Sequence, residues 1–161
     1  MRLINDKIKA RAQLKKIVFK LKRQGRIIAF TNGCFDILHS GHVKYLEKTK
    51  ALADILIVAV NSDNSVKRIK GKKRPVVNLK DRMRVLAALE STDYVTSFCE
   101  DTPFNLIKSL KPDILVKGKD WGANKIVGSD IVRSCGGRVI TMPYLAGRSS
   151  SGIIRKIGKV Y

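Results

Sequence analysis

The apolar positions along this chain switch repeatedly between helical spacing and strand-like runs. Near the N-terminus a helix is predicted from four apolar residues at helical spacing, Leu14, Ile17, Val18 and Leu21. Residues 55–60 form an unbroken aliphatic run, which is typical of a strand covered on both faces. The chain therefore begins with a helix and builds a buried sheet behind it.

The same reading along the remaining residues gives five strands that alternate with helices. Strands are predicted at 26–30, 55–60, 94–98, 114–116 and 139–142, and helices at 42–53, 64–69, 79–89, 103–110, 125–134 and 150–157. This order predicts an α/β fold, a single domain with a Rossmann-like, doubly wound parallel sheet. Residues 1–25 are interpreted as a basic N-terminal helix and residues 26–161 as the domain itself. Ligands of such folds bind beyond the carboxyl ends of the strands.

Composition narrows the class of protein. The chain has 161 residues, 44% hydrophobic and 29% charged, which fits one globular domain. No apolar run is long enough to span a bilayer and no leader pattern precedes the first helix, so we expect a cytoplasmic protein without membrane contact. Three cysteines without paired spacing, Cys34, Cys99 and Cys135, favour neither a disulfide framework nor a zinc site.

Charge adds a candidate chemistry. The formal net charge is +20, and residues 1–26 and 67–84 carry net charges of +9 and +8. Such a field attracts nucleic acid, an anionic membrane surface or strongly phosphorylated small molecules. Composition alone does not decide among these partners.

The segment that follows the first strand carries the most specific pattern. Both histidines of the chain, His39 and His42, lie there, separated by Ser40 and Gly41 at the start of a predicted helix. A helix N-terminus suits phosphate oxygens, and histidines can donate hydrogen bonds to charge that develops on a reacting phosphate. A metal site would need a third ligand, for which only Asp36 is near, and Cys34 lacks the helix N-terminus that would activate a nucleophile. We therefore expect no protein-held metal.

Residues 33–42, with Gly33, Phe35, Asp36, Leu38 and the His39-Ser40-Gly41-His42 motif, resemble the signature of the cytidylyltransferase-like nucleotidyltransferases. More narrowly, the chain is similar to the branch that adenylylates D-glycero-β-D-manno-heptose 1-phosphate in ADP-heptose synthesis. Supporting stretches lie at 60–63, 70–71, 74–75, 100–103, 111–118 and 149–154, so that the resemblance covers roughly residues 27–157.

This resemblance implies a reaction and a set of site residues. A sugar-phosphate oxygen would attack the α-phosphate of ATP and release pyrophosphate, with Mg²⁺ carried mainly by ATP phosphates and water. The implied catalytic residues are His39, His42 and Lys44. The implied nucleotide-binding residues are Thr31, Asn32, Gly33, Cys34, Phe35, Gly41, Lys117, Gly118, Asp120, Tyr144, Ser149, Ser150 and Ser151. The implied sugar-phosphate-binding residues are Asp36, Asn61, Lys70, Arg74 and Arg82.

Several alternatives remain open on the sequence. Ser149–Ser151 could be an ordinary helix cap rather than a phosphate cradle, and Trp121 could be a lid or a packing residue. Lys44 is more typical of glycerol-phosphate cytidylyltransferases, so transfer from CTP to glycerol 3-phosphate is an alternative. An RNA-binding module is another, disfavoured because only 6% of residues are aromatic.

The resemblance also bears on partners. The heptose branch is often fused to a sugar kinase, for which 161 residues leave no room, so we expect a separate kinase. The oligomeric state, a homodimer included, is left open.

Overall fold

A computed structural model describes residues 3–118, 126–143 and 147–160. The helices are α1 (Ile4–Lys7), α2 (Arg11–Arg23), α3 (Ser40–Lys50), α4 (Asp63–Lys70), α5 (Leu79–Ala88), α6 (Phe104–Leu110), α7 (Ser129–Ser134) and α8 (Ser150–Val160). The strands are β1 (Ile28–Gly33), β2 (Ile55–Asn61), β3 (Tyr94–Phe98), β4 (Ile114–Gly118) and β5 (Arg138–Met142). Within these residues no helix combines the length and apolarity that crossing a membrane requires.

The five strands form one parallel sheet in the order β3-β2-β1-β4-β5. The chain winds outward from β1 through β2 to β3 and then returns to the other side of β1 with β4 and β5. Residues after β1 therefore lie at the point where the winding direction reverses, which is where open α/β sheets bind ligands. The predicted single-domain, doubly wound fold is confirmed.

Side chains of successive strand residues point to opposite faces and build two cores. Phe30 and Ile57 pack with α2, α6 and α7 on one face, whereas Ala29 and Val58 pack with α3 and α5 on the other. The N-terminal helix belongs to the first core, because its Leu14 is fully buried there. The boundary predicted between residues 25 and 26 stays a prediction.

The first strand is displaced from its predicted position. It begins at Ile28 rather than at residue 26 and continues through Thr31, Asn32 and Gly33, three residues beyond the predicted end at residue 30. These polar residues extend the strand because their backbones pair with Val58–Val60 of β2. Thr31 is tolerated inside because its hydroxyl lies 2.8 Å from the Tyr45 hydroxyl in a buried hydrogen bond.

Other differences are small. Helix α3 begins at Ser40, two residues before the predicted start, and α8 continues to Val160 rather than ending at residue 157. Helix α7 begins at Ser129, later than the predicted residue 125, which lies outside the described residues. The short α1 was not predicted. It lies beside the β3 edge of the sheet, where Ile8 forms a parallel bridge to Val95.

Candidate active site

A cleft of about 630 Å³ opens at the carboxyl edge of the sheet. Its volume is within the range of small-molecule sites. Residues from the ends of β1, β2 and β4, the start of α3 and the start of α8 line it, as does the turn after β3. Four cationic side chains contribute to the lining, Lys70, Arg74, Lys117 and Arg148, against two acids, Asp36 and Asp101. The cleft therefore has a positive balance that suits anionic ligands.

The two histidines stack on each other at the mouth of α3. Their ring centroids are 3.9 Å apart with an interplanar angle of 27°, and the ring centroids of Phe35 and His42 are 5.5 Å apart in an edge-to-face arrangement. His39 is the N-cap residue and His42 lies in the first turn, so the helix start fixes both rings. Within the described residues, the buried Nδ1 atoms of both rings have no hydrogen-bond partner.

Both histidines are neutral near pH 7. Burial, together with the positive charge of Arg148, lowers the pKa of His39. Burial, with a smaller contribution from His39, lowers the pKa of His42 to about 4. A neutral imidazole donates from one ring nitrogen and accepts at the other, so the pair can offer two donors to a phosphate without carrying charge into the free cleft.

Gly41 permits this arrangement of rings. A Cβ at this position would lie 3.0 Å from two atoms of the His39 ring and 3.2 Å from the Cβ of Arg148. The missing side chain thus lets His39 and the segment before α8 approach the start of α3. Gly41 itself is buried and does not line the cleft, although the resemblance implies that it binds the nucleotide.

Asp36 organises the cleft wall beside β2. Its buried carboxylate accepts the backbone N–H groups of Val76 and Val77, with Oδ1 at 2.8 and 2.9 Å, and the Nε–H of Arg74. Burial alone would raise the pKa of Asp36, but these hydrogen bonds outweigh it and the pKa is lowered. The basic loop after α4 is thereby tied to the end of β1, and Asp36, Lys70 and Arg74 all line the cleft.

Arg82 was predicted to clamp the sugar phosphate, and the structure contradicts this. Its side chain is fully buried, with the guanidinium donating to the carbonyl oxygens of Val77, Cys34 and Asn61 and to the Asp63 carboxylate. These bonds hold the ends of β1 and β2 against α5 and leave the guanidinium beneath the cleft. Arg82 therefore has no access to the cleft in this structure.

The opposite wall is built from β4 and the start of α8. Lys117 donates from Nζ to Oδ1 of Asn32 at 2.8 Å, which places the ammonium beside the end of β1, and Gly118 lies next to it. The hydroxyl of Ser149 accepts the Gly152 N–H at 3.0 Å and so caps α8. Ser150 donates to the Ile37 carbonyl at 2.9 Å. All three serines line the cleft, so capping and ligand contact occur together.

The structure brings most of the predicted residues together. Asn32, Gly33, Cys34, Phe35 and Asn61 also line the cleft. Thr31 does not line it, because its hydroxyl is buried against Tyr45, and Lys44 is exposed on α3 outside the lining. The placement of Lys44 does not fit the predicted contact with the phosphates. Asp120, Trp121 and Tyr144 lie outside the described residues.

Other lining residues were not assigned from the sequence. Arg148 stands beside the predicted serines, and its charge next to a phosphate-type segment was a usable signal. Asp101 and Thr102 lie in one of the stretches that carry the resemblance. Tyr45 and Val127 gave no signal, since an apolar or aromatic residue at helical spacing predicts only a core position.

The described residues offer no protein cage for a metal ion. They contain no group of three or more His, Cys, Asp or Glu side chains arranged to hold one.

Comparison with known proteins agrees with this geometry. The Cytidylyltransferase-like family model matches residues 30–156. Proteins named bifunctional protein HldE from Geobacter sulfurreducens and Helicobacter pylori are 48% and 52% identical over 96% and 92% of this chain. The chain spans 32% and 31% of their lengths, about a third of each.

Two solved structures share the fold. A lipopolysaccharide core biosynthesis protein from Thermoplasma volcanium has a TM-score of 0.60 and 30% identity, covering 75% of this chain and 98% of that one. Pantoate-β-alanine ligase from Francisella tularensis, in complex with an ATP compound and β-alanine, also has a TM-score of 0.60, at 18% identity over 90% of this chain and 69% of its own. The second likeness concerns the fold alone. From the family match across most of its length, the chain belongs to the cytidylyltransferase-like family and is a nucleotidyltransferase.

Proposed function

We propose that the protein transfers the adenylyl group of ATP to the phosphate of a sugar 1-phosphate, D-glycero-β-D-manno-heptose 1-phosphate, and releases pyrophosphate. The observation that carries this proposal is the stacked, neutral pair His39 and His42, between a cationic wall on the β4 side and another on the β2 side. A reaction between two anions needs charge on both sides and donors at the centre.

In the proposed reaction an oxygen of the sugar phosphate forms a bond to the α-phosphorus of ATP. The bond from that phosphorus to the bridging oxygen breaks, and pyrophosphate leaves with the electron pair. The two imidazoles donate hydrogen bonds to the α-phosphate oxygens, where negative charge is concentrated in the transition state.

The two walls each bind one of the two reactants. Lys117, Arg148 and the N-terminus of α8 with Ser149–Ser151 bind the β- and γ-phosphates of ATP. Lys70 and Arg74 bind the phosphate of the sugar, with Arg74 held in place by Asp36. Mg²⁺ accompanies the ATP phosphates, and no step of the mechanism is assigned to protein ligands of that ion.

The choice of acceptor rests on similarity. The bifunctional HldE relatives align with nearly the whole chain, and a solved neighbour is described as a lipopolysaccharide core biosynthesis protein. Core saccharides are assembled from activated sugars, which supports a sugar phosphate over a polyol phosphate as the acceptor. The acceptor's phosphate would come from a sugar kinase, the partner activity that we propose for the same pathway.

A coupled pyrophosphate-release assay tests the proposal. ATP, CTP and GTP are each combined with heptose 1-phosphate, hexose 1-phosphates and glycerol 3-phosphate. We expect the highest kcat/KM for ATP with heptose 1-phosphate. Turnover with CTP and glycerol 3-phosphate, and none with heptose 1-phosphate, would overturn the proposal in favour of a cytidylyltransferase.

Variants separate the parts of the mechanism. His39→Ala and His42→Ala should each lower kcat by about 10²–10³, as the loss of an oxyanion donor does. Arg74→Ala should raise the KM for heptose 1-phosphate and leave that for ATP nearly unchanged. Neutralising Lys15 and Lys16 on α2 is the matched control, because this helix packs in the first core and its residues do not line the cleft. These substitutions should weaken only nonspecific polyanion binding.

A further inference from the structure

The turn that follows β3 supplies a third part of the cleft that the phosphate chemistry does not use. Asp101, Thr102 and Pro103 line the cleft there, beside Asn61 at the end of β2. In the strand order, this turn and the β4 side that holds ATP in the proposed mechanism lie on opposite sides of β1. A ligand group that reaches the turn therefore belongs to the acceptor rather than to ATP.

The turn is held in place by hydrogen bonds to β2 and α4. The side-chain amide of Asn61 donates to the Ser65 hydroxyl at 3.0 Å, and that hydroxyl donates to the Glu100 carbonyl at 3.0 Å. The backbone N–H of Ser62 donates to the Phe98 carbonyl at 2.8 Å. This chain of contacts fixes the backbone immediately before Asp101 relative to Asn61, and so determines where the turn begins.

The charge of Asp101 is compensated from behind. Arg68 on α4 donates from Nε to Oδ1 of Asp101 at 2.6 Å and from its terminal nitrogen to the Cys99 carbonyl at 2.6 Å. Arg68 does not line the cleft, whereas Asp101 does. The ion pair orients the carboxylate and offsets its repulsion toward an anionic acceptor, while a carboxylate retains capacity for further hydrogen bonds.

A carboxylate and a hydroxyl recognise a different chemistry from that of the cationic wall. Lysine and arginine side chains bind phosphate, whereas a carboxylate accepts hydrogen bonds from neutral hydroxyl groups. An anionic phosphate would be repelled by the Asp101 carboxylate. The turn thus fits the polyhydroxylated part of a molecule whose phosphate is bound by Lys70 and Arg74.

We infer that Asp101 and Thr102 bind hydroxyl groups of the acceptor sugar and set the preference of the enzyme for a polyhydroxylated acceptor. The inference rests on the proposed function, because it takes the acceptor to be a sugar 1-phosphate. It adds the residues that distinguish one acceptor from another, separate from those that bind its phosphate.

The test pairs variants with altered acceptors. Wild type, Asp101→Asn, Asp101→Ala and Thr102→Val are assayed by pyrophosphate release with ATP and heptose 1-phosphate, and with analogues that each lack a single hydroxyl. We expect Asp101→Ala to raise the KM for heptose 1-phosphate about tenfold or more and to leave the KM for ATP within about twofold. We expect one analogue to be a poor substrate of the wild type and to lose that disadvantage in the variant.

Glu100→Gln is the matched control. Glu100 is the neighbouring carboxylate and also pairs with an arginine, Arg11, at 3.1 Å, but it does not line the cleft. This variant should keep the acceptor preference of the wild type. A general loss of structure in the Asp101 variants would lower kcat/KM for all acceptors equally and would not remove the penalty for one missing hydroxyl.

The outcomes separate the two proposals. If the wild type uses heptose 1-phosphate but no Asp101 or Thr102 variant changes the discrimination between it and its analogues, the inference is overturned and the proposed function stands. If the wild type uses no sugar 1-phosphate, both are overturned.

Discussion

Arg74 faces the cleft because Asp36 holds it from behind. The Nε–H of Arg74 donates to a carboxylate that also accepts two backbone N–H groups of the same loop, so a single buried side chain fixes both the arginine and the segment that carries it. Asp36 was predicted to bind substrate. From its contacts we expect it to act on the substrate mainly through Arg74.

Replacement of this carboxylate should separate the two substrates. Asp36→Asn removes the charge that three donors share, and we expect the unfolding free energy to fall by about 3 kcal/mol. The KM for the acceptor phosphate should rise about tenfold while the KM for ATP changes little, as initial-rate kinetics would show.

The matched control for that variant is Asp54→Asn. Asp54 also accepts a backbone N–H, from Ile27 at 2.7 Å, and pairs with an arginine, Arg26, but lies outside the cleft. Its replacement should leave both KM values unchanged. If Asp36→Asn shifts the two KM values equally, the link from Asp36 to the acceptor through Arg74 is wrong.

The histidine pair predicts how stability depends on pH. The pKa of His42 is about 4 in the folded protein, below the ordinary value of about 6.5. Between these two pH values the imidazole is protonated in the unfolded chain and neutral in the folded protein. The contribution to stability is complete above about pH 6.5 and is lost as the pH falls toward 4. Chemical denaturation at pH 7 and pH 5 measures it.

A double variant provides the control for this pH effect. His39 and His42 are the two histidines of the chain, so His39→Asn with His42→Asn removes every imidazole. Its unfolding free energy should change much less between pH 7 and pH 5 than that of the wild type. An equal change in both proteins would show that other groups cause the pH dependence.

The serines at the start of α8 should separate into two roles. Ser149→Ala removes the hydroxyl that caps the helix and should lower the unfolding free energy by about 1 kcal/mol. Ser151→Ala should leave stability unchanged and raise the KM for ATP about tenfold, because a hydrogen bond to phosphate is lost. Thermal denaturation and initial rates distinguish them. An unchanged KM for ATP in Ser151→Ala would leave this segment as a helix cap only.

Cys34 should resist alkylation. Burial raises the pKa of its thiol, an effect that the charges of Lys70, Arg82 and Arg74 offset only in part. Cys99 and Cys135 are exposed. Because the thiolate is the reactive form, iodoacetamide at pH 7.5 should modify Cys34 about tenfold more slowly than the exposed pair, as peptide mass spectrometry would show. Labelling of Cys34 at the rate of Cys99 would contradict this.

The sequence was most informative where short-range patterns decide structure. The run of residues 55–60, the alternation of strands with helices and the turn glycines are local, and the sheet that they predicted is confirmed. Ligands bind at the carboxyl ends of parallel strands, and at this edge of the sheet the structure places His39, Asp36, Asn61 and Lys117. The roles assigned to these residues stay predictions.

Long-range contacts account for what the sequence did not give. Thr31 is polar and lies beyond the predicted strand, yet it extends β1 because its backbone pairs with Val58 and its buried hydroxyl is hydrogen-bonded to Tyr45, which is 14 positions away. Arg82 was assigned to the substrate through the resemblance, but its burial depends on partners such as the carbonyl of Cys34, which is 48 positions away. Lys44 follows the helix phase of α3 to the exposed side. Composition and residue spacing do not reveal which residues distant in the sequence come into contact.

The packing of α2 determines how its charge can be studied. Leu14 and Val18 are buried against β-strand residues, so the helix that carries these lysines on its outer face is itself part of the first core. A deletion of this segment would expose that core, and the effect of losing the charge could then not be distinguished from the effect of losing the fold. Charge reversal on the exposed face, one lysine at a time, would change the electrostatic field and keep the architecture, which makes surface design rather than truncation the route to learning what this charge attracts.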